Sequence, residues 1–371
     1  MTLHIFNPEH DTALASGLAN FTAPHAARQL RHDLGFLPAF WAERGDMILV
    51  DDVERAERSW QKLSFRAATL FGREHLRQVM PEFVHSRRQL HIAPGSNIAP
   101  WGWNAALKAQ LLRRGISERL LPTDDQIDTI RHFSHRRQAA TLLPMLRAEG
   151  TVGESFACHD FGEVTILLQQ HQRLVLKAPW SSSGRGLRFV SASDSLLSST
   201  YLSGWFRNIV DSQGCVMAEP YYNKVRDFGM EFYSDGNGTI TYLGLSLFHT
   251  QNGAYTGNLL ATETKKRCLI TRYIPDSLLD VVRERICRFL AAAFGRIYRG
   301  PFGIDMMVVS AHPSPITHHP SPFMLHPCVE INLRRTMGHV ALALSPTDDD
   351  VMGVMRIEYT DNNYRLKINR L

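Results

Sequence analysis

Two sets of side chains in this sequence have the types and spacing to do chemistry. The first is RLVLKAPWSSSGRGLRFV, residues 173–190. An aliphatic run, Leu174, Val175 and Leu176, ends on Lys177, and Ser181, Ser182, Ser183, Gly184 and Gly186 follow with little side-chain bulk. Small residues let successive backbone N–H groups turn towards one point, which makes a cradle for phosphate. An ammonium group at the end of the preceding strand adds a point charge there. This is not a P-loop, because the lysine precedes the glycines; the plain alternative is an ordinary Ser/Gly hairpin. Lysine is scarce in this chain, seven against 34 arginines, so its placement at this point carries some weight.

The second set lies near the far end. Residues 301–309, PFGIDMMVV, read as a strand carrying Asp305. Residues 325–339, LHPCVEINLRRTMGH, read as a second strand with Glu330 and Asn332 on one face and Ile331 on the other. If the two strands are neighbours, two carboxylates and an amide converge. Such hard oxygen ligands suit Mg²⁺, which takes its remaining oxygens from water and substrate phosphates. Otherwise the carboxylates are surface groups at a sheet edge.

The order of these pieces resembles the ATP-grasp superfamily of carboxylate–amine ligases. The resemblance rests on Lys177, the 181–186 loop, Asp305 and the Glu330–Asn332 strand followed by arginine, and spans roughly residues 134–339. It implies a fold of two α+β subdomains sandwiching ATP, preceded by an N-terminal α/β domain. The implied division is 1–118, 119–215 with the phosphate loop, and 216–371 with the metal strands. The resemblance makes VMAEPYYNKVRDFGMEF the hinge strand and the strand after it, with Glu219 at the adenine end. It also implies a basic residue gripping phosphate at the start of the helix after Ser134. Arg136 matches best and Arg137 is the alternative; the plain reading is two arginines on a solvated helix face.

Asp227 and Glu231, four apart on one side of a strand, are candidates for the ribose hydroxyls or magnesium. Arg334, two positions after Asn332, is the candidate for holding a substrate carboxylate or acyl phosphate. The chemistry implied is attack of a carboxylate on the γ-phosphorus of ATP, then displacement of phosphate by an amine. A kinase acting on a small hydroxyl acceptor and a non-catalytic nucleotide-binding protein remain as alternatives.

Composition bounds the rest. A chain of 371 residues is too long for a single core. Hydrophobic content of 44% and charged content of 21% are those of globular proteins. No apolar run is long enough for a membrane span, and no basic start precedes an apolar core, which argues against export. Cys158, Cys215, Cys268, Cys287 and Cys328 are scattered and suggest free thiols in the cytoplasm. A net charge of +5 calls for no nucleic-acid partner.

The elements that must position these groups follow an α/β pattern from the start. A strand over residues 3–6 runs into NPEHD, whose Asn7, Glu9, His10 and Asp11 could bind metal, contact substrate or form a structural turn. A helix near 23–34, a strand at 47–50 and a polar helix from 53 follow. Asn104 is placed to cap a helix buried through Leu107, Leu111 and Leu112. Trp101 and Trp103 before it would line a ligand pocket or cover a domain interface. A linker at LPTDDQ precedes a helix capped by Ser134, with Pro144 inside and Gly150 as its stop. The polar segment 246–262 is placed to recognise an acceptor or is a plain polar excursion. The proline-rich run 312–322 reads as an exposed insertion between the two metal strands.

Overall fold

The computed structural model of the chain describes all residues except 91, 94, 182–183, 185, 194–199, 252–253 and 311–321. Among the described residues, four sheets of four strands organise it. The first is parallel, in the order Glu82–His85, Met47–Val50, Thr2–Ile5, Asn97–Pro100. Its strand Met47–Val50 is buried throughout, as expected of a parallel strand covered on both faces. Helix Val53–Phe71 follows, capped by Asp52 accepting from the Arg55 N–H. Helix Ala105–Arg113 is capped by Asn104, as the sequence suggests, but Leu112 is exposed and Leu107 and Leu111 alone of the three reach the core.

The linker expected at residue 121 is structured instead. Thr123 and Gln126 form a reciprocal capping box that starts helix Asp124–Phe133. Ser134 ends that helix, and His135 caps the next one, Arg136–Leu146, by accepting from the Arg137 N–H at 3.0 Å. The helix ends at Leu146, four residues short of Gly150, and runs through Pro144.

The second, small sheet is antiparallel, in the order Phe156–Cys158, Val216–Pro220, Arg173–Lys177, Leu187–Ser191. Helices Phe161–His171 and Thr200–Gln213 cover it through Val164, Leu168, Leu202 and Phe206. The third, large sheet is also antiparallel, in the order Ile240–Ser246, Lys224–Asp235, Arg299–Ser310, Phe323–Asn332. Its inner face packs on the helices Arg136–Leu146 and Asp276–Ala293 through Phe228, Phe232, Phe302, Ile304, Leu142 and Ile286. The Asp235 turn forms as a hairpin, with Asp235 Oδ1 accepting from the N–H groups of Asn237 and Thr239.

The fourth sheet is the one sequence patterning does not anticipate. It runs Phe248–Gln251, Ala254–Leu260, Gly353–Thr360, Asn363–Arg370, all antiparallel. Its inward residues Leu260, Met355 and Ile368 share one core with Phe36, Trp60 and Phe71 of the N-terminal region. The last strands of the chain thereby pack against the first domain. Among the described residues no helix is long and apolar enough to cross a membrane.

Candidate active site

The metal-binding candidates are placed by backbone pairing. In the large sheet Asp305 lies opposite Glu330, and Gly303 opposite Asn332. Residues paired across antiparallel strands project to the same face. Asn332 donates a hydrogen bond to the Asp305 carboxylate. Burial, and then the Glu330 charge beside it, push the Asp305 carboxyl up to about 7. Two carboxylates held this close favour a cation between them. The donor set, two carboxylates and one amide, is that of a hard divalent ion with open positions. Among the described residues no three His, Cys, Asp or Glu side chains cluster as a metal centre.

Across a narrow cleft stand the cations. Lys177 ends its strand beside the hinge strand, where Leu176 pairs with Ala218 and Val175 with Glu219. Its ammonium group donates to Glu219 Oε2 at 2.5 Å, and both residues are buried. The sequence reading sets Lys177 at the phosphates and Glu219 at the adenine end; the register brings the two into contact. Arg136, the first residue of its helix, donates to Ser181 Oγ at 2.8 Å, to the Ala178 carbonyl and to Glu330 Oε2 at 2.9 Å. It bridges the small-residue loop to the metal strand. Gly186 permits this closure, because a Cβ there would collide with the Ser181 side chain and lie 3.0 Å from Ala178 Cβ. Gly184 takes φ +72°, a conformation favouring glycine. Ser182 and Ser183, also read as phosphate ligands, lie outside the described residues.

The third cation reaches the cleft by a route the sequence does not show. The strand ends at Asn332, so Arg334 does not continue its alternation; the chain turns with the Arg334 N–H donating to the Asn332 carbonyl. The guanidinium then forms a bidentate pair with Asp11, at 2.8 Å to each carboxylate oxygen. Asp11, Ser134, Trp180, Ser181, Glu330 and Asn332 line the cleft together. The other polar members of NPEHD make contacts within the first domain. Asn7 exchanges two hydrogen bonds with Gly102, and Glu9 pairs with Arg31 at 2.8 Å. His10 packs on Gly102, is fully buried, and burial lowers its pKa to about 4. Trp101 joins the interface core, edge-on to Phe6, while its carbonyl accepts from the Arg335 N–H.

Asp227 and Glu231 part company. Asp227 pairs with Lys224 and Thr250 at the strand's outer end. Glu231 is deeply buried, with Oε2 3.0 Å from His339 Nδ1, which already accepts from the Thr336 N–H. Burial pushes Glu231 up to about 8 and His339 far down. Gly303 and Gly338 make room for this carboxyl; a Cβ at Gly338 would overlap it. In segment 246–262 the polar groups satisfy one another: Tyr255 donates to Asn258, and Asn258 to Ser246. Asn252 lies outside the described residues.

No protein-family model matches the sequence. No curated protein matches it either. Solved structures do. The chain is similar to the biotin carboxylase domain of the 2-oxoglutarate carboxylase of Hydrogenobacter thermophilus, at TM-score 0.51 and 12% identity, over 97% of this chain and 75% of that one. This chain has the ATP-grasp fold. N5-carboxyaminoimidazole synthetase of Staphylococcus aureus gives 0.49 at 11% identity, over 97% and 83% of the two chains. Biotin carboxylase of Campylobacter jejuni gives 0.49 at 12%, over 97% and 76%. The small sheet carries Lys177, and the large sheet carries Asp305 and Glu330. The strand Val216–Pro220 lies inside the small sheet, and segment 150–155 runs towards it from Leu325 of the large sheet.

Proposed function

We propose that this protein is an ATP- and Mg²⁺-dependent ligase that joins a carboxylate to an amine through an acyl phosphate. The division 1–118, 119–215 and 216–371 goes with this reading, the nucleotide lying between the last two. One observation carries it: Arg136 joins Ser181 and Ala178, in the loop after Lys177, to Glu330, which lies opposite Asp305 on the large sheet, while Arg334 pairs with Asp11 in the lining of the same cleft. The similar Hydrogenobacter domain was solved with MgADP, ADP and bicarbonate, which supports the same chemistry here.

The roles follow from charge. Asp305, Glu330 and Asn332 hold Mg²⁺, which when bound neutralises charge on the transferred phosphoryl group. Lys177 and Arg136 hold phosphate oxygens, and Ser181 with the loop 181–186 closes over them. Arg136 would exchange its Glu330 partner for a phosphate oxygen, leaving that carboxylate free as a ligand. Glu219 holds the Lys177 ammonium in place near the base end. Asp227, at the rim, is the candidate for the ribose hydroxyls. Arg334 holds the substrate carboxylate, oriented by Asp11. No protein nucleophile is needed, because the carboxylate itself attacks phosphorus and the amine displaces phosphate.

The test is ADP and phosphate release from Mg-ATP across a panel of carboxylates, including bicarbonate, each with and without amines. A ligase releases both ADP and free phosphate, dependent on a carboxylate and an amine. ADP formed while phosphate stays on a hydroxyl product assigns a kinase instead, and nucleotide binding without any turnover assigns a binding protein.

A further inference from the structure

A second cavity lies away from the cleft, at the other end of the large sheet. It has a volume of about 410 Å³, and Gln126, Tyr233, Asn237, Arg296 and Arg299 are among its walls. Arg299 starts the strand that carries Asp305, and at the usual rise of a strand the two are roughly 20 Å apart. None of the roles above uses this end of the sheet.

The cavity is built on the turn after strand Lys224–Asp235. Asp235 pairs with Arg299 across the ladder, so both side chains project to one face. The acid nevertheless does not neutralise the base. Asp235 Oδ1 accepts from the N–H groups of Asn237 and Thr239 at 2.7 and 3.0 Å, which commits the carboxylate to its own turn. Among the described residues neither the Arg296 nor the Arg299 guanidinium has an ion pair or a hydrogen bond.

Two glycines seat these arginines. Gly236, at φ +77°, lies against the Arg299 stem, and a Cβ there would sit 3.0 Å from Arg299 Cβ. Gly238, at φ +101°, lies beside Arg296, and a Cβ there would sit 3.6 Å from its Cγ and Nε. Both backbone conformations favour glycine. The turn is tied to the body of the domain, because the Gly238 N–H donates to the Gly295 carbonyl at 2.9 Å. The facing wall is tied as well. The Gln126 amide donates to the Ile297 carbonyl at 3.2 Å and accepts from the Thr123 N–H at 2.9 Å. The two guanidinia thus flank a fixed turn with no carboxylate bound to either.

Charge and lining set the class of ligand. Two guanidinia beside one opening can share a dianionic phosphate, whose terminal oxygens accept from several N–H donors at once. The volume exceeds that of a phosphate ion and falls within the range of small-molecule pockets. The remaining walls are mostly polar, and Tyr233 and Asn237 bring a hydroxyl and an amide suited to ligand hydroxyl groups. We propose that this cavity is a second ligand site, separate from the cleft, that takes a small phosphorylated sugar or polyol with its phosphate on Arg296 and Arg299. The proposal does not depend on the ligase reading.

The experiment measures equilibrium binding of glucose 6-phosphate, glucose and malonate to the full chain by calorimetry, with no nucleotide added. Wild type should bind glucose 6-phosphate roughly tenfold or more tighter than either of the others. Combined Arg296→Gln and Arg299→Gln substitution keeps both stems against the turn and should weaken glucose 6-phosphate binding roughly tenfold or more, without lowering the melting temperature of the free protein. The single variant Arg296→Gln, at an exposed position, carries the same test if the double variant does not fold. Lys177→Met, in the cleft, should leave the affinity within about twofold of wild type. Binding kept by the arginine variants and lost in Lys177→Met places the phosphate in the cleft and overturns the proposal. So does a wild type that shows no binding at millimolar glucose 6-phosphate. Malonate bound as tightly as glucose 6-phosphate overturns the phosphate class. Nucleotide turnover enters none of these measurements, so a failure of the ligase reading is told apart from a failure of this site.

Discussion

The two walls of the cleft are built by different physics. On the large sheet, Asp305, Glu330 and Asn332 are placed by ladder hydrogen bonds, so their separation is a property of the backbone. On the opposite wall, Lys177, Arg136 and Arg334 are placed by side-chain ion pairs with Glu219, Glu330 and Asp11. The first arrangement is rigid and presents negative charge. The second is exchangeable, because a carboxylate partner can be replaced by a phosphate or a substrate carboxylate with little change in geometry. On the proposed reading, a cleft with one fixed wall and one exchangeable wall would hold a metal in register while its cations move onto ligand. Glu330 belongs to both walls, since its carboxylate is opposite Asp305 and bound to Arg136 at 2.9 Å.

The largest effect should come from breaking the rigid wall. Glu330→Gln keeps size but removes the charge that organises the metal. Turnover measured as ADP production should fall roughly 100-fold or more, the usual scale for disturbing transition-state electrostatics. Nucleotide affinity, measured separately, should change far less. Near-normal turnover of this variant across a Mg²⁺ titration would remove Glu330 from the metal site.

Breaking the exchangeable wall should act on binding. Lys177→Met deletes one charge-assisted phosphate contact, worth about 1.5–3 kcal/mol, and should weaken Mg-ATP binding by roughly 10- to 150-fold. It also strands Glu219 as a buried carboxylate without its partner, so the double variant Lys177→Met, Glu219→Gln separates the two consequences. Melting temperature should recover in the double variant and nucleotide affinity should not. If affinity recovers too, Lys177 acts by neutralising Glu219 and not by holding phosphate.

The smallest effect tests the buried support behind the rigid wall. Glu231 has its folded-state pKa raised from an ordinary 4.5 to about 8, chiefly by burial. The folded chain thus keeps a proton that the unfolded chain releases. The stability this gives is complete below about pH 4.5 and is lost as pH rises through about 8. Asp305, Lys266 and Arg334 act on the same carboxyl, and His339 faces it directly. His339, lowered, works in the opposite sense, costing stability as pH falls below 6.5. Glu231→Gln removes the first contribution alone. The melting temperature of the variant relative to wild type should therefore rise between pH 5 and pH 8. A difference that stays flat over that range would show that Glu231 is ionised in the folded protein.

What was legible in the sequence follows the same division. Strand alternation has a period of two, so it located Glu330 and Asn332 on one face before any partner was known, and Asp305 needed only to be the neighbour. Lys177 closed an aliphatic run and the glycines after it announced a tight approach; Gly186 proved to lie against Ser181 and Ala178. Local rules misplaced details where two signals competed. Ser134 was read as the cap, but it ends the preceding helix and His135 caps the next one. Leu112 kept the helical period but points to solvent, because the neighbouring elements cover only the Leu107–Leu111 edge.

By itself, the sequence determined the types and the local spacing of the ligands: which side chains could hold a metal or phosphate, and which strand and loop carry them. Tertiary structure alone decided which opposite charges meet. Asp11 and Arg334 are 323 residues apart, and Arg136 and Glu330 are 194 apart. No periodicity reaches across such distances, since an ion pair requires only that two folded surfaces arrive together. The same holds for the C-terminal strands, whose alternation marks an apolar face but not the N-terminal core that covers it. Hydrophobic burial is non-directional, so the partner of an apolar face is chosen by the packing of the whole chain.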